Sequence, residues 1–187
     1  METRIFVSGK IKKVYRRIDL KPLPEKEGLE SHINSWNAHF LTIENKKCWL
    51  LTHTKTRYTV VLPDINANKI KSLRFSFLDQ IMNQYLKDDN RINFEENVDP
   101  TKFEKFIGSF EFYPTNNDKS CIAYLNRRIE DLEWYKYSEY DYEDIPFYTL
   151  GATINHIGSM KRNGKSEWIK PNEEMLELID AFVLPPL

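Results

Sequence analysis

Four histidines and two cysteines are the side chains best suited to hold a metal: His32, His39, His53 and His156 offer imidazole nitrogens, and Cys48 and Cys121 offer thiolates. Their spacing argues against it. The chain has no CxxC, HxxxH or HExxH pattern, and His39 and His53 share a strand face in only one of two neighbouring hairpin registers. A divalent-ion nuclease site could be assembled from Glu44-Asn45-Lys46 and Pro63-Asp64, an acid-x-lysine and a proline-aspartate element that would hold an ion and activate water. In the nuclease arrangement of such elements the aspartate strand comes first. Here it comes second, and Glu44-Asn45-Lys46 already reads as a turn. Cys48 sits in the apolar run Cys48-Trp49-Leu50-Leu51, where a thiol is inert. The chain also lacks a G-x-S-x-G elbow, a phosphate-binding glycine loop and a dinucleotide fingerprint. These residues predict no metal and no cofactor. A metal-independent enzyme with an unrecognised site is kept as an alternative to binding.

Two charged segments offer recognition chemistry. Lys12, Lys13, Arg16 and Arg17 fall close together, opposite an apolar stripe, and would neutralise phosphates of a nucleic acid. The competing explanation is a solvated helix face. Arg127, Arg128, Lys161, Arg162 and Lys165 would extend that surface if the fold gathers them. The second segment, residues 135–144, mixes tyrosines with carboxylates, a combination suited to a basic partner surface. Its candidate partner-binding residues are Tyr137, Tyr140, Asp141, Tyr142, Glu143 and Asp144, set against an exposed loop whose tyrosines cover core edges.

The elements that must position these groups follow from periodicity. Thr3 to Val7 predicts a short strand, and Ser8 an N-cap for a helix carrying Ile11, Val14, Tyr15 and Ile18 on one stripe. Trp36 to Asp64 predicts three strands in an antiparallel meander. The first alternates at Trp36, Ala38 and Phe40, the second is apolar on both faces and therefore central, and Pro63 ends the third. A helix is expected from Asn68 to Leu86, with Ile70, Leu73, Phe77, Ile81 and Tyr85 inward. Asp99-Pro100 opens a short helix that Gly108 stops. Phe110 to Tyr113 is a further candidate strand. Ile122, Leu125, Ile129 and Leu132 mark a helix capped by Asp118 or Ser120, Phe147 to Ile157 another, and Pro171 opens the last.

Trp36-Asn37-Ala38, Lys47-Cys48 and Leu62-Pro63, with Asp118 to Ile122 and Leu125-Asn126 more distantly, resemble a bacterial family defined only as a domain of unknown function. Its members carry a tryptophan-led strand, a lysine-cysteine second strand and a third strand ending near proline. The likeness spans about half of the chain. It departs at Ala123-Tyr124, where the family pattern has a small residue such as glycine after the aliphatic position, and in the C-terminal third. The resemblance implies a shared fold and a bacterial or mobile-element source, and transfers no active site.

The 187 residues suffice for one domain spanning 1–187, and the composition, 41% hydrophobic and 29% charged, is that of a folding chain. No apolar run approaches the roughly 20 residues of a membrane span, and METRIFVSGKIKK lacks the features of a signal peptide. The expectation is an α+β protein with a small, mainly antiparallel sheet packed by several helices. Its expected role is bacterial, cytoplasmic binding or regulation through a protein partner, in a mobile-element, toxin–antitoxin or defence setting, without membrane contact. Nucleic-acid binding through the basic helix is the alternative.

Overall fold

The computed structural model describes residues 1–25, 32–88, 100–136, 141–157, 160–161 and 168–183. A five-stranded sheet is built from β1 (Glu2–Val7), β2 (Ser35–Ile43), β3 (Lys46–His53), β4 (Thr59–Leu62) and β5 (Ser109–Pro114), in the order β4-β3-β2-β1-β5. β2 pairs antiparallel with β3, and β3 with β4. β1 runs parallel to both of its neighbours, β2 and β5. The sheet is therefore mixed, which corrects the mainly antiparallel expectation. A parallel pair needs a crossover rather than a hairpin. That crossover is supplied by α1 (Gly9–Val14) and the chain up to Asn34, so the N-terminal strand lies inside the sheet. Residues Met160–Lys161 and Trp168–Ile169 form β6 and β7 of a separate two-stranded ribbon.

Helices cover both faces. On one face α2 (Leu73–Asp88), α3 (Pro100–Ile107) and α6 (Pro171–Val183) join α1 over Ile5, Trp36, Trp49 and Val60. Trp36 meets Phe77 of α2 edge-on at 4.9 Å between ring centroids, and Tyr85 meets Phe103 of α3 at 5.3 Å. The opposite face carries α4 (Lys119–Lys136) and α5 (Phe147–Ile157) over Leu41, Ile43, Cys48 and Leu50. β3 is covered on both sides, with Cys48 and Leu50 facing one way and Trp49 and Leu51 the other. Each aliphatic or phenyl side chain removed from water in this way contributes on the order of 1.5–3 kcal/mol.

Local signals set the ends of the elements. Ser8 caps α1, its Oγ accepting from Ile11 N at 3.4 Å. Asp118 caps α4, Oδ1 accepting from Cys121 N at 2.9 Å. Gly108 closes α3 at φ +58, and a Cβ there would lie 1.6 Å from the carbonyl oxygen of Met1. Close by, Asn34 joins three segments: it donates to Thr3 Oγ1 at 2.7 Å and Phe106 O at 2.8 Å, and accepts from Trp36 Nε1 at 2.6 Å.

Each outer edge of the sheet is engaged at one residue. At β4, Asn155 of α5 takes the place of a neighbouring strand: Oδ1 accepts from Thr59 N at 2.7 Å and Nδ2 donates to Thr59 O at 3.0 Å. Gln84 Nε2 donates to the same carbonyl at 3.1 Å. Gly151 lets α5 approach, since a Cβ there would sit 2.2 Å from Gln84 Nε2. At β5, Lys21 N donates to Phe112 O at 2.8 Å and its Nζ pairs with Glu111 at 2.6 Å. Such contacts blunt an edge against pairing with other chains.

Candidate functional site

The basic segment is positioned by Tyr15. α1 ends at Val14, shorter than the expected helix, and Tyr15 leaves helical geometry at φ −108, ψ 68. Its ring packs edge-on against Trp49 at 5.1 Å and Phe40 at 6.3 Å, and its hydroxyl donates to the carbonyl of Ile65. This pins the turn after α1 to the segment after β4. There Asn66 Oδ1 accepts from the amides of Asn68 and Lys69 and starts the 3-10 turn Lys69–Ser72. Between the two segments lies a concavity of about 680 Å³. Val14, Ile18, Ala67 and Ile70 supply its apolar wall, while Arg16, Arg17 and Lys71 stand exposed around it. Among the described residues these three cations make no ion pair, whereas neighbouring Lys69 is held by Asp64 at 2.8 Å. Lys12 and Lys13 are exposed on α1, outside the lining. The basic residues thus divide, two lining the concavity and two extending its charge along the surface.

The acidic segment does different work. Asp141, Tyr142, Glu143 and Asp144 lie at a 3-10 turn over Tyr142–Asp144 that closes on the β2–β3 hairpin. Tyr142 is only 6% exposed. Its ring packs on Phe147 at 5.3 Å, Lys46 Nζ sits 4.1 Å above it, and its hydroxyl is 3.6 Å from Cys48 Sγ. Burial, then the nearby Cys48, push this phenol well above its ordinary value. Tyr142 is thus a core residue, as the alternative of tyrosines covering core edges would have it. Glu143 is exposed but paired with Lys46, and that ion pair holds its carboxyl below the usual range. Asp141 and Asp144 remain on the surface. Tyr137 and Tyr140 lie outside the described residues.

The imidazoles and thiols do not converge. Trp36 pairs with His53 and His39 with Leu50, which puts the two histidines on opposite faces. His53 is fully buried, with Nδ1 2.9 Å from Thr56 Oγ1 and Nε2 2.7 Å from Ile33 O, and burial drives its pKa down to about 4. Cys48 and Cys121 are buried free thiols; burial pushes Cys48 up and Cys121 to about 11. Among the described residues no group of three His, Cys, Asp or Glu could hold a metal ion. Glu44 and Asn45, at φ 45 and 65, form the two-residue turn of the β2–β3 hairpin, and Asp64 is engaged by Lys69. Glu44 accepts from Tyr142 N at 3.3 Å, so the acid-x-lysine element is part of the scaffold. Arg127 is exposed, while Arg128 is buried between Asp131, at 3.0 Å, and the carbonyl of Ile154, at 3.3 Å.

With the tryptophan-led β2, the Lys47-Cys48 strand and the Pro63 stop in place, residues 11–174 match the family profile described as Domain of unknown function (DUF6933). The chain belongs to the DUF6933 family. No curated protein matches it significantly, and no solved structure does. In this DUF6933 chain no helix among the described residues is long and apolar enough to cross a membrane. Sequence reasoning missed Asn68 and Lys71, which it assigned to a helix, as neighbours of the basic cluster. The tether between Tyr15 and Ile65 that brings them together spans fifty residues of sequence. The strand end at Pro63 and the Asn66 turn were its only local traces.

Proposed function

We propose that this DUF6933 protein is a binding protein that takes an acidic, apolar-anchored segment of a protein partner in the concavity between Tyr15 and Lys71. One observation carries the reading: Arg16, Arg17 and Lys71, which make no ion pair among the described residues, surround an apolar wall in a space of about 680 Å³. An apolar side chain would fill the wall, and flanking carboxylates would meet the guanidinium groups in bidentate fashion. The binding reading over the enzymatic one is supported by the structural duties of the imidazoles and thiols. The two free thiols suit a reducing compartment, in keeping with a bacterial cytoplasmic regulator in a toxin–antitoxin or defence setting.

Selection from a random peptide display library tests it, with the Arg16→Glu/Arg17→Glu protein as counter-target. The expected result is a consensus of Asp or Glu flanking an aliphatic or aromatic anchor, lost on the counter-target. No enrichment, a basic consensus, or equal enrichment on both proteins would reject the reading. Lys12 and Lys13, continuing the charge outward, favour a second reading of nucleic-acid contact. It requires oligonucleotide affinity that falls steeply with salt.

A further inference from the structure

A second concavity lies where the parallel strands end. The chain leaves β1 at Val7 for α1, on the face that holds Trp36, and leaves β5 at Pro114 for α4, on the opposite face. Adjacent parallel strands whose connections depart to opposite faces leave a gap outside their carboxyl ends, the switch point at which α/β sheets receive ligands. Here the gap is a cavity of about 310 Å³, at the lower end of the range for small-molecule pockets. Phe6, Ile122 and Leu125 make its apolar surfaces. Polar residues line it from four directions: Ser8, whose Oγ caps α1, and Lys10 after β1, Asn37, which donates to Thr54 Oγ1, and His39 from β2, Asn117 from the loop after β5, and Asn126 from α4.

The lining has one cation, Lys10, and no carboxylate. His39 Nδ1 lies 2.7 Å from Phe40 N and 2.8 Å from Phe40 O, which leaves Nε2 to a ligand. Burial, with Lys10 nearby, lowers the pKa of this imidazole below its ordinary value. A single positive charge among amides and hydroxyls matches a carboxylate. A phosphate dianion would lack a second cation, and an ammonium group would meet no acid in the cavity. An adjoining cavity of about 470 Å³ shares Lys10, His39 and Asn126 and reaches Glu130 and Glu133, where an amino group on the same ligand would be received.

We propose that this crevice binds a small hydroxy- or amino-carboxylate, independently of the basic concavity. Amide proton–nitrogen spectra of the whole protein, titrated with sodium glycerate, glycerol, 3-amino-1,2-propanediol and glycerol 3-phosphate, test it. Glycerate is expected to move the amides of Ser8, Lys10, His39 and Asn117 saturably, and glycerol and the amine are expected to leave them in place. Lys10→Met and Asn126→Leu, both at exposed positions, should each weaken glycerate binding by about tenfold. Arg16→Glu/Arg17→Glu should leave it unchanged, which separates this site from the partner site. No saturable shift at the crevice, affinity unaltered in Lys10→Met, or tighter binding of the phosphate than of glycerate would overturn the assignment.

Discussion

Lowering the pH should weaken this protein through His53 in particular. Its imidazole, ordinarily titrating at 6.5, is held down to about 4 by complete burial. Between those values the unfolded chain binds a proton that the folded chain refuses. The stability tied to neutral His53 is therefore complete above pH 6.5 and is lost as the pH falls toward 4. At about 1.4 kcal/mol for each pH unit, the whole difference is on the order of 3–4 kcal/mol, most of which is gone by about pH 4.5. Urea unfolding between about pH 7.5 and 4.5 measures this loss, and His53→Gln isolates it. Glutamine keeps one acceptor for Thr56 and one donor for the Ile33 carbonyl but has no proton to take up. His32 and His39 are also held low by burial, and the carboxylates titrate in the same region, but these contributions are common to both proteins and cancel in the difference. The stability gap between wild type and His53→Gln should narrow by about 2–3 kcal/mol over that range. A gap that does not change with pH would refute the reasoning.

Two further substitutions probe the frame around the sites. Asn155→Leu removes both bonds to Thr59, leaves that buried amide without an acceptor, and should cost about 2–4 kcal/mol by urea unfolding, with faster hydrogen exchange at Thr59. Gly108→Ala combines a left-handed φ with a Cβ placed on the Met1 carbonyl oxygen, and a loss of more than about 2 kcal/mol is expected in the same assay.

Much of the element pattern was legible because it rests on local chemistry. Ser8, Asp118 and Gly108 announce helix ends through single side chains or a single backbone angle, and all three act so in the fold. The parallel placement of β1 was not legible, because the strand signal of Thr3 to Val7 carries no information about the direction of its neighbours. The relation of His39 to His53 was closer to reach. A two-residue turn at Glu44-Asn45, with asparagine tolerating its positive φ, sets Ile43 opposite Lys46 and therefore Trp36 opposite His53. Reading Glu44-Asn45-Lys46 as a turn of unspecified length left the register open. The density of tyrosine and carboxylate near Tyr142 indicated contact, but composition did not distinguish contact with a partner from contact with Cys48 and Phe147. The basic concavity depends on Tyr15 reaching Ile65, and the crevice on the opposite departures of α1 and α4. Both are properties of the chain's path through space.

The interior position of β1 also sets the order in which this protein can be finished during its synthesis. β1 is translated first, yet its partner β5 begins at Ser109, about a hundred residues later. At roughly 5–20 residues per second, β1 waits on the order of 5–20 s for that neighbour. Until Ser109 to Pro114 emerge, the hairpin and β1 present an open backbone edge that the finished sheet never shows. The ribosome-bound chain therefore leaves the β1 edge open to strand-to-strand pairing until β5 closes beside it.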